Sequence, residues 1–250
     1  MMSALPPGLY DLLQTPQLKK QLEESGLMDS AVWANVDPAE LPDKIAAHLA
    51  KEIGSYLAET VFAKKDSRLW QGALEQTIVS PEFLQSFLPA ILPEDHKALQ
   101  QIKSSGHSVE ETNRPETPLA VSALLTGSSR SPALRTQIQK ELESCDRADW
   151  LVSFIKFSGL IPLLDVLRRF TQTPAEDGGP RLRIATTSYM GATDIKAVEE
   201  LLKLPNTEIR ISYDTKRTRL HAKAYLFHRL SGFSSAYIGR AIALKLLLSH

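Results

Sequence analysis

The chain has 250 residues, no formal net charge at pH 7, and 43% hydrophobic and 23% charged residues. These proportions are typical of soluble globular proteins, and the length suits one large domain or two small ones. Zero net charge excludes a global basic field that would attract nucleic acid, so any anion site must be local.

Cysteine content and the absence of targeting signals limit the location of the protein. The single cysteine, Cys145, cannot form an intramolecular disulfide, and we expect it to be a buried structural thiol. The first residues lack the charged and apolar regions of a signal peptide, and no apolar stretch approaches the ~20 residues of a membrane-spanning helix. We therefore expect a cytoplasmic protein that does not engage a membrane.

The first 103 residues are predicted to be a small all-helical region. Apolar residues recur every four positions in one amphipathic helix, at Ile45, Leu49, Ile53, Leu57 and Val61. A second apolar stripe comprises Leu69, Trp70, Ala73, Leu74 and Ile78. The polar stretch 104–118, which contains Gly106, Asn113, Pro115 and Pro118, predicts a linker.

Residues 119–250 alternate between strand and helix patterns. Ser131 and Pro132 predict the start of a helix, and two more helices are predicted over Leu160–Phe170 and after a capping Thr193. Strands are predicted at Trp150–Ile155, Arg181–Thr187, Glu208–Tyr213 and 220–227, with a hairpin partner at Ser234–Gly239. The fold class is therefore α/β: a mixed sheet with parallel pairs and a closing antiparallel hairpin, flanked by helices.

The strand over 220–227 carries an unusual charge pattern. Because strand side chains alternate between faces, one face is predicted to be apolar, with Leu220, Ala222, Ala224 and Leu226. The other face collects Arg217, Arg219, His221, Lys223 and Tyr225. Such a cluster repels itself unless an anion sits there, and a phosphate group would suit it. The alternative is a solvated basic strand at a sheet edge.

His221-Ala222-Lys223, followed by Gly239 at the end of the hairpin, resembles the signature of the phospholipase D superfamily. The surrounding sequence is similar to phospholipase-D-like domains at the N-terminus of bacterial helicase-like proteins, which are usually regarded as nucleic-acid phosphodiesterases. The resemblance covers roughly the second half of the chain.

Two departures from the signature are visible. The acidic position that follows the lysine is occupied by His228, and the glycine-serine-x-asparagine turn reads Gly239-Arg240-Ala241-Ile242. The apolar ending that replaces this turn looks like a truncated or frameshifted product.

The resemblance implies a metal-independent phosphodiesterase without a cofactor. His221 would attack phosphorus and form a phosphohistidine, while Lys223 would hold the non-bridging oxygens. A second histidine would protonate the leaving group, and with one motif copy this implies a homodimer or a place within a helicase-like protein. Arg217, Arg219 and Gly239 would bind the substrate, a nucleic acid and most naturally DNA. The alternatives are a catalytically impaired nucleic-acid or partner-binding module and a lipid-directed phospholipase.

Other polar groups are weaker candidates. The loop Ser188–Thr193 follows a strand and opens a helix, so it is either an anion site or an ordinary capped connection. Asp214 could orient a histidine or belong to a turn. His48, His96 and His107 lack a second ligand at metal-binding spacing, and His228 lies on the opposite strand face from His221.

Overall fold

The computed structural model describes residues 5–62, 70–103, 113–120, 122–126, 132–214 and 221–239. The chain divides into two compact units, which we call unit 1 (residues 1–107) and unit 2 (residues 108–250).

Unit 1 contains a three-stranded antiparallel sheet, so the prediction of an all-helical region is wrong. Its strands are β1 (Gly8–Leu13), β2 (Ala31–Asn35) and β3 (Lys97–Ile102), in the order β1-β3-β2. Each strand has only five or six residues, and a short apolar run does not distinguish a strand from a buried turn of helix. The central strand also comes last in sequence, so its pairing leaves no local signal.

The helices of unit 1 follow the predicted apolar periodicity. They are α1 (Pro16–Glu24), α2 (Leu41–Leu57), α3 (Trp70–Ile78) and α4 (Leu88–Ile91), with wider π-helical turns at Ala58–Phe62 and Glu82–Phe87. The amphipathic helix predicted from the four-residue repeat is thus confirmed as α2 with its π-helical extension, and the second stripe corresponds to α3 where it is described.

The sheet of unit 1 is buried against α2. Leu13, Val36 and Ala98 form a small buried cluster, against which Leu41 and Ile45 pack.

Unit 2 contains a five-stranded mixed sheet, as the strand and helix alternation predicts. Its strands are β4 (Arg147–Val152), β5 (Leu182–Thr187), β6 (Thr207–Ser212), β7 (Lys223–His228) and β8 (Ser235–Ile238). They are arranged in the order β6-β5-β4-β7-β8. The pairs β4–β5 and β5–β6 are parallel, whereas β4–β7 and β7–β8 are antiparallel.

The helices of unit 2 supply one side of its hydrophobic core. They are α5 (Leu134–Ser144), α6 (Phe157–Leu160), α7 (Leu164–Phe170) and α8 (Ile195–Leu202). Their apolar residues share one cluster with Trp150, Val152 and Phe227 of the sheet. The single helix predicted over Leu160–Phe170 is divided by a 3₁₀ turn at Ile161–Leu163.

Two predicted helix starts differ from the structure. Helix α5 begins at Leu134, and Ala133 occupies its N-cap without a side-chain hydrogen bond, while the predicted cap Ser131 lies outside the described residues. Helix α8 has Asp194 at its N-cap in place of Thr193. The Thr193 hydroxyl donates to the carbonyl of Thr187 at 2.8 Å, so it stabilises the loop and not the helix end.

A buried ion pair attaches the β7–β8 hairpin to α5. The side chains of Arg229 and Glu141 are 1% and 0% exposed, and the Arg229 guanidinium donates to a Glu141 carboxylate oxygen. The same guanidinium donates to the carbonyls of Ser144 and Phe233, at 3.2 and 3.0 Å. The Tyr237 hydroxyl donates to the other Glu141 oxygen at 2.8 Å, so one carboxylate holds both the turn of the hairpin and β8.

Part of the segment predicted as a linker belongs to unit 2. The Glu116 amide donates to the Gln137 side chain at 2.9 Å, and Lys140 Nζ donates to the Glu116 carboxylate at 2.8 Å. The Thr117 hydroxyl lies 2.8 Å from that of Tyr237. Residues around 116–117 are therefore docked along α5.

Candidate functional site at the carboxyl edge of the sheet

The sheet of unit 2 has one edge at which several chain ends converge. Strands β4, β5 and β6 run in the same direction, and β8 shares it because β7 is antiparallel to both β4 and β8. We call the end of the sheet where these four strands finish and β7 begins the carboxyl edge. In open α/β sheets, ligands bind outside the carboxyl ends of the strands, so this edge is the first place to look for a site.

His221 lies at the carboxyl edge and is exposed. It precedes β7, which starts at Lys223, so the predicted strand over 220–227 begins later than expected. The backbone beside His221 is nevertheless fixed. The Ala222 carbonyl accepts hydrogen bonds from the Ser153 amide at 2.9 Å and from the Ser153 hydroxyl at 3.0 Å.

Lys223 is the first residue of β7, and it is only 3% exposed. Its Nζ atom lies 4.5 Å from the centre of the Phe154 ring, a distance at which a cation is attracted to an aromatic face. Burial lowers the pKa of Lys223, because the charged ammonium loses hydration. A cation kept at low exposure has a stronger field than one in water, which suits it to hold an anion.

The two faces of β7 are the reverse of the prediction. Lys223, Tyr225 and Phe227 are buried on the core side, while Ala224 and Leu226 on the other side are only partly buried. The parity of the side chains is as predicted, but the predicted apolar face is not the core face. Tyr225 and Phe227 together present more apolar surface than Ala224 and Leu226 on the other side, so their burial decides which side turns inward.

Gly239 is the third predicted site residue that lies at the carboxyl edge. Its amide donates to the Lys223 carbonyl at 3.0 Å, which places the end of β8 beside the start of β7. Within the part of the chain that the structure describes, no atom lies within 4 Å of a Cβ built at this glycine. The structure thus brings His221, Lys223 and Gly239 together at one edge.

The remaining predicted residues cannot be placed with them. Arg217 and Arg219 lie outside the described residues, as does the segment 240–250, so their part in substrate binding stays a prediction. Asp214 follows β6 at the same edge.

Sequence reasoning missed the contribution of Ser153 and Phe154, which directly follow β4. Ser153 and Phe154 were predicted to continue a strand through Ile155, but β4 ends at Val152 and the chain then turns across the carboxyl edge. The sequence signal for this change is the polar Ser153, which interrupts the apolar run where β4 ends. Their partners lie some 70 residues away in sequence, which no local pattern reveals.

An aspartate fixes the turn that follows β4. Asp194 accepts hydrogen bonds from the Phe157 amide at 2.9 Å and from Lys156 Nζ at 3.0 Å. These two hydrogen bonds, the backbone one first, lower the pKa of Asp194. Because a carboxylate occupies the start of α8, the loop Ser188–Thr193 fits the ordinary connection better than an anion site.

A separate shallow groove of about 300 Å³ lies on the sheet face opposite the core. Asp149 lines this groove. It accepts a hydrogen bond from Arg183 Nε at 2.6 Å and lies 2.8 Å from His228 Nε2. The desolvation of Asp149 opposes ionisation, but the hydrogen bonds from Arg183 and His228 outweigh it and lower the pKa of Asp149. The predicted residues His221, Lys223 and Gly239 do not line this groove. Its charges pair internally, so we do not assign the site to it.

Cys145 and three histidines are among the other residues considered from the sequence. Cys145 is buried, as predicted, and burial raises the pKa of its thiol. His48 Nε2 lies 2.8 Å from the Ile91 carbonyl in unit 1. His228 lies at the far end of β7 from His221, so the two histidines are not brought together. His107 lies outside the described residues.

No family model matches this sequence, and no curated protein matches it. Among the helices within the described ranges, every one is too short or too polar to span a lipid bilayer.

Proposed function

We propose that unit 2 carries a phosphodiesterase half-site that acts on nucleic acid, with the five-stranded sheet as a phospholipase-D-like arrangement. The observation that carries the proposal is the meeting at the carboxyl edge of an exposed histidine, a buried lysine and a glycine whose amide donates to the carbonyl of that lysine. A histidine offers a nucleophilic nitrogen, and the lysine offers a fixed positive charge.

The proposed reaction has two steps. The His221 imidazole attacks the phosphorus, a nitrogen–phosphorus bond forms, and the bond to one ester oxygen breaks. That oxygen takes a proton and leaves as an alcohol. Water then attacks the phosphohistidine, which returns free His221 and a phosphomonoester. Lys223 stabilises the charge on the non-bridging oxygens in both transition states, where a cation with little hydration acts most strongly.

The proton for the leaving alcohol is assigned to His221 of a second copy. Each chain has one His-x-Lys sequence, so two chains related by a two-fold axis would supply two histidines to one phosphate. The proposal therefore includes a homodimer. It also includes a cytoplasmic location, which rests on the sequence, where the one cysteine is typical of proteins that carry no disulfide.

The direct test measures hydrolysis of bis-p-nitrophenyl phosphate and of DNA in the presence of EDTA. We expect turnover by the wild type and its loss in His221→Ala, with His96→Ala as a matched control, because His96 is an exposed histidine of unit 1. Equal activity of the two variants would contradict the role of His221.

The dimer is tested by subunit mixing. If two His221 residues share one phosphate, a dimer with one His221→Ala subunit is inactive, so activity falls as the square of the wild-type fraction in co-refolded mixtures. Independent sites would give a linear fall. A linear result, or a monomer at assay concentrations, would contradict the shared site.

The second candidate is a module that binds nucleic acid without turnover. The specific observation in its favour is the sequence after Gly239, where Arg240-Ala241-Ile242 stands in place of the serine and asparagine of the signature. Salt-sensitive DNA binding by wild type and His221→Ala alike, with no hydrolysis, would favour this candidate.

A further inference from the structure

Tyr213 presents a large aromatic surface at the carboxyl edge. It follows β6 directly and is 75% exposed, whereas Phe154, Phe157 and Tyr189 at the same edge are only partly exposed. Single exposed apolar residues are common on proteins, so exposure alone means little. The relevant feature of Tyr213 is its position at the same edge of the sheet as His221.

The backbone that carries Tyr213 is held firmly. The Ser212 carbonyl accepts from the Ser188 amide at 3.1 Å, from the Thr187 hydroxyl at 3.1 Å and from the Ser188 hydroxyl at 3.4 Å. The end of β6 is thereby fixed to the end of β5. A tyrosine has few rotatable bonds, so a ring on such a support binds a partner at low cost in conformational entropy.

The order of the strands sets the distance between Tyr213 and the proposed reaction centre. From β7, where Lys223 begins the strand, to β6 is three strand spacings, or about 14 Å. Between them lie Phe154, after β4, and Lys156, whose charge is paired with Asp194. The edge thus carries aromatic rings together with basic residues, the two kinds of group that bind single strands.

We propose that Tyr213 is a base-stacking subsite and that the substrate is single-stranded nucleic acid laid along the carboxyl edge. This inference rests on the proposed function, because the phosphate position is that of His221 and Lys223. An unpaired strand exposes its base faces to an aromatic ring, whereas a duplex keeps those faces stacked inside.

The test measures binding without turnover, by fluorescence anisotropy with His221→Ala as the parent protein. The probes are an oligothymidine of about 12 nucleotides, a duplex of the same length, and an abasic oligomer with the same number of phosphates. We expect Tyr213→Ala to weaken oligothymidine binding about 5- to 150-fold, which corresponds to the 1–3 kcal/mol of one stacked base. Tyr213→Phe should restore it, and binding of the abasic oligomer should not change.

A matched control is Phe62→Ala, which removes a 54% exposed aromatic residue from unit 1 and should leave binding unchanged. The salt dependence of oligothymidine binding should be the same with and without the Tyr213 ring, because the phosphate contacts remain. Unchanged affinity in Tyr213→Ala, equal binding of abasic and thymidine oligomers, tighter binding of the duplex, or no binding of any probe would each overturn the inference.

Failure of this inference is distinguishable from failure of the proposed function. Tyr213-dependent binding by a wild type that hydrolyses nothing would remove the phosphodiesterase and keep the subsite. Hydrolysis that needs His221 but not Tyr213 would do the opposite.

Discussion

Removal of the Glu141 carboxylate is the sharpest test of how the β7–β8 hairpin is held on α5. In Glu141→Ala the Arg229 guanidinium, 1% exposed, stays in the interior without a counter-charge, and the Tyr237 hydroxyl loses its acceptor. Loss of one partner of a buried ion pair costs about 3–5 kcal/mol. That is a large part of the roughly 5–15 kcal/mol by which a domain is stable.

A double variant separates the destabilisation caused by an unpaired buried charge from the net contribution of the ion pair to stability. Arg229→Met with Glu141→Leu removes both charges, and buried pairs replaced in this way are often neutral or more stable. Here the carbonyls of Ser144 and Phe233 lose a donor, which offsets part of the gain. We expect the double variant to be at least about 2 kcal/mol more stable than Glu141→Ala.

Urea unfolding gives the measurement. Trp150 is buried in the core of unit 2, so its fluorescence reports this unit once Trp33 and Trp70 are replaced by phenylalanine. With a slope of about 2 kcal/mol per molar urea, a loss of about 4 kcal/mol lowers the midpoint by about 2 M. A loss below about 1 kcal/mol in Glu141→Ala, or a double variant as unstable as the sum of its single variants, would refute the reasoning.

Three further outcomes follow from the same geometry. Lys223→Met should abolish hydrolysis yet raise the free energy of unfolding by roughly 0.5–2 kcal/mol. Because burial lowers the pKa of Lys223, the unfolded state binds more protons just below pH ~10.5, so wild-type stability rises with pH there, and the variant should lack this rise. Asp149→Asn should lose less stability than the wild type on acidification. Desolvation opposes the ionisation of Asp149, but Arg183 and His228 outweigh it and lower the pKa of Asp149. The ionised carboxylate therefore stabilises the fold fully above pH ~4, and this stabilisation is lost as the pH falls below it. Melting temperatures at pH values on either side of 4 decide this, and equal acid sensitivity of variant and wild type would contradict it. Ser153→Ala removes one hydrogen bond to the backbone before β7, so we expect a loss of about 1 kcal/mol, or 2–4 °C in melting temperature, together with slower hydrolysis; an unchanged rate would show that His221 does not depend on this support.

The sequence predicted the architecture of unit 2 well because its signals are local. Apolar runs such as Trp150–Val152 alternate with helical repeats, and each element is long enough to show its own period. Unit 1 was predicted poorly, because β3 (Lys97–Ile102) is a six-residue strand whose partners β1 and β2 lie far back in the chain. The pairing of β3 with strands so distant in sequence leaves no local pattern from which this pairing could be predicted.

The candidate site was predictable only along its own strand. The alternation of side chains within β7 and the position of Gly239 in the hairpin could be predicted, whereas His221 lies before the strand. Which side turned inward depended on the volumes of Tyr225 and Phe227, and the support from Ser153 depended on the three-dimensional fold. The alternation of side chains follows from strand geometry alone, whereas the side of the strand that is buried depends on how the whole molecule packs.

The strand order β1-β3-β2 in unit 1 has a consequence for synthesis on the ribosome. The central strand is made last, and more than 80 residues separate the end of β1 at Leu13 from the start of β3 at Lys97. At about 5–20 residues per second, translation of that interval takes about 4 to 17 seconds. During this time β1, and β2 once it has been made, have no central strand to pair with, so their edges are open to chaperones and to other nascent chains until Ile102 has emerged.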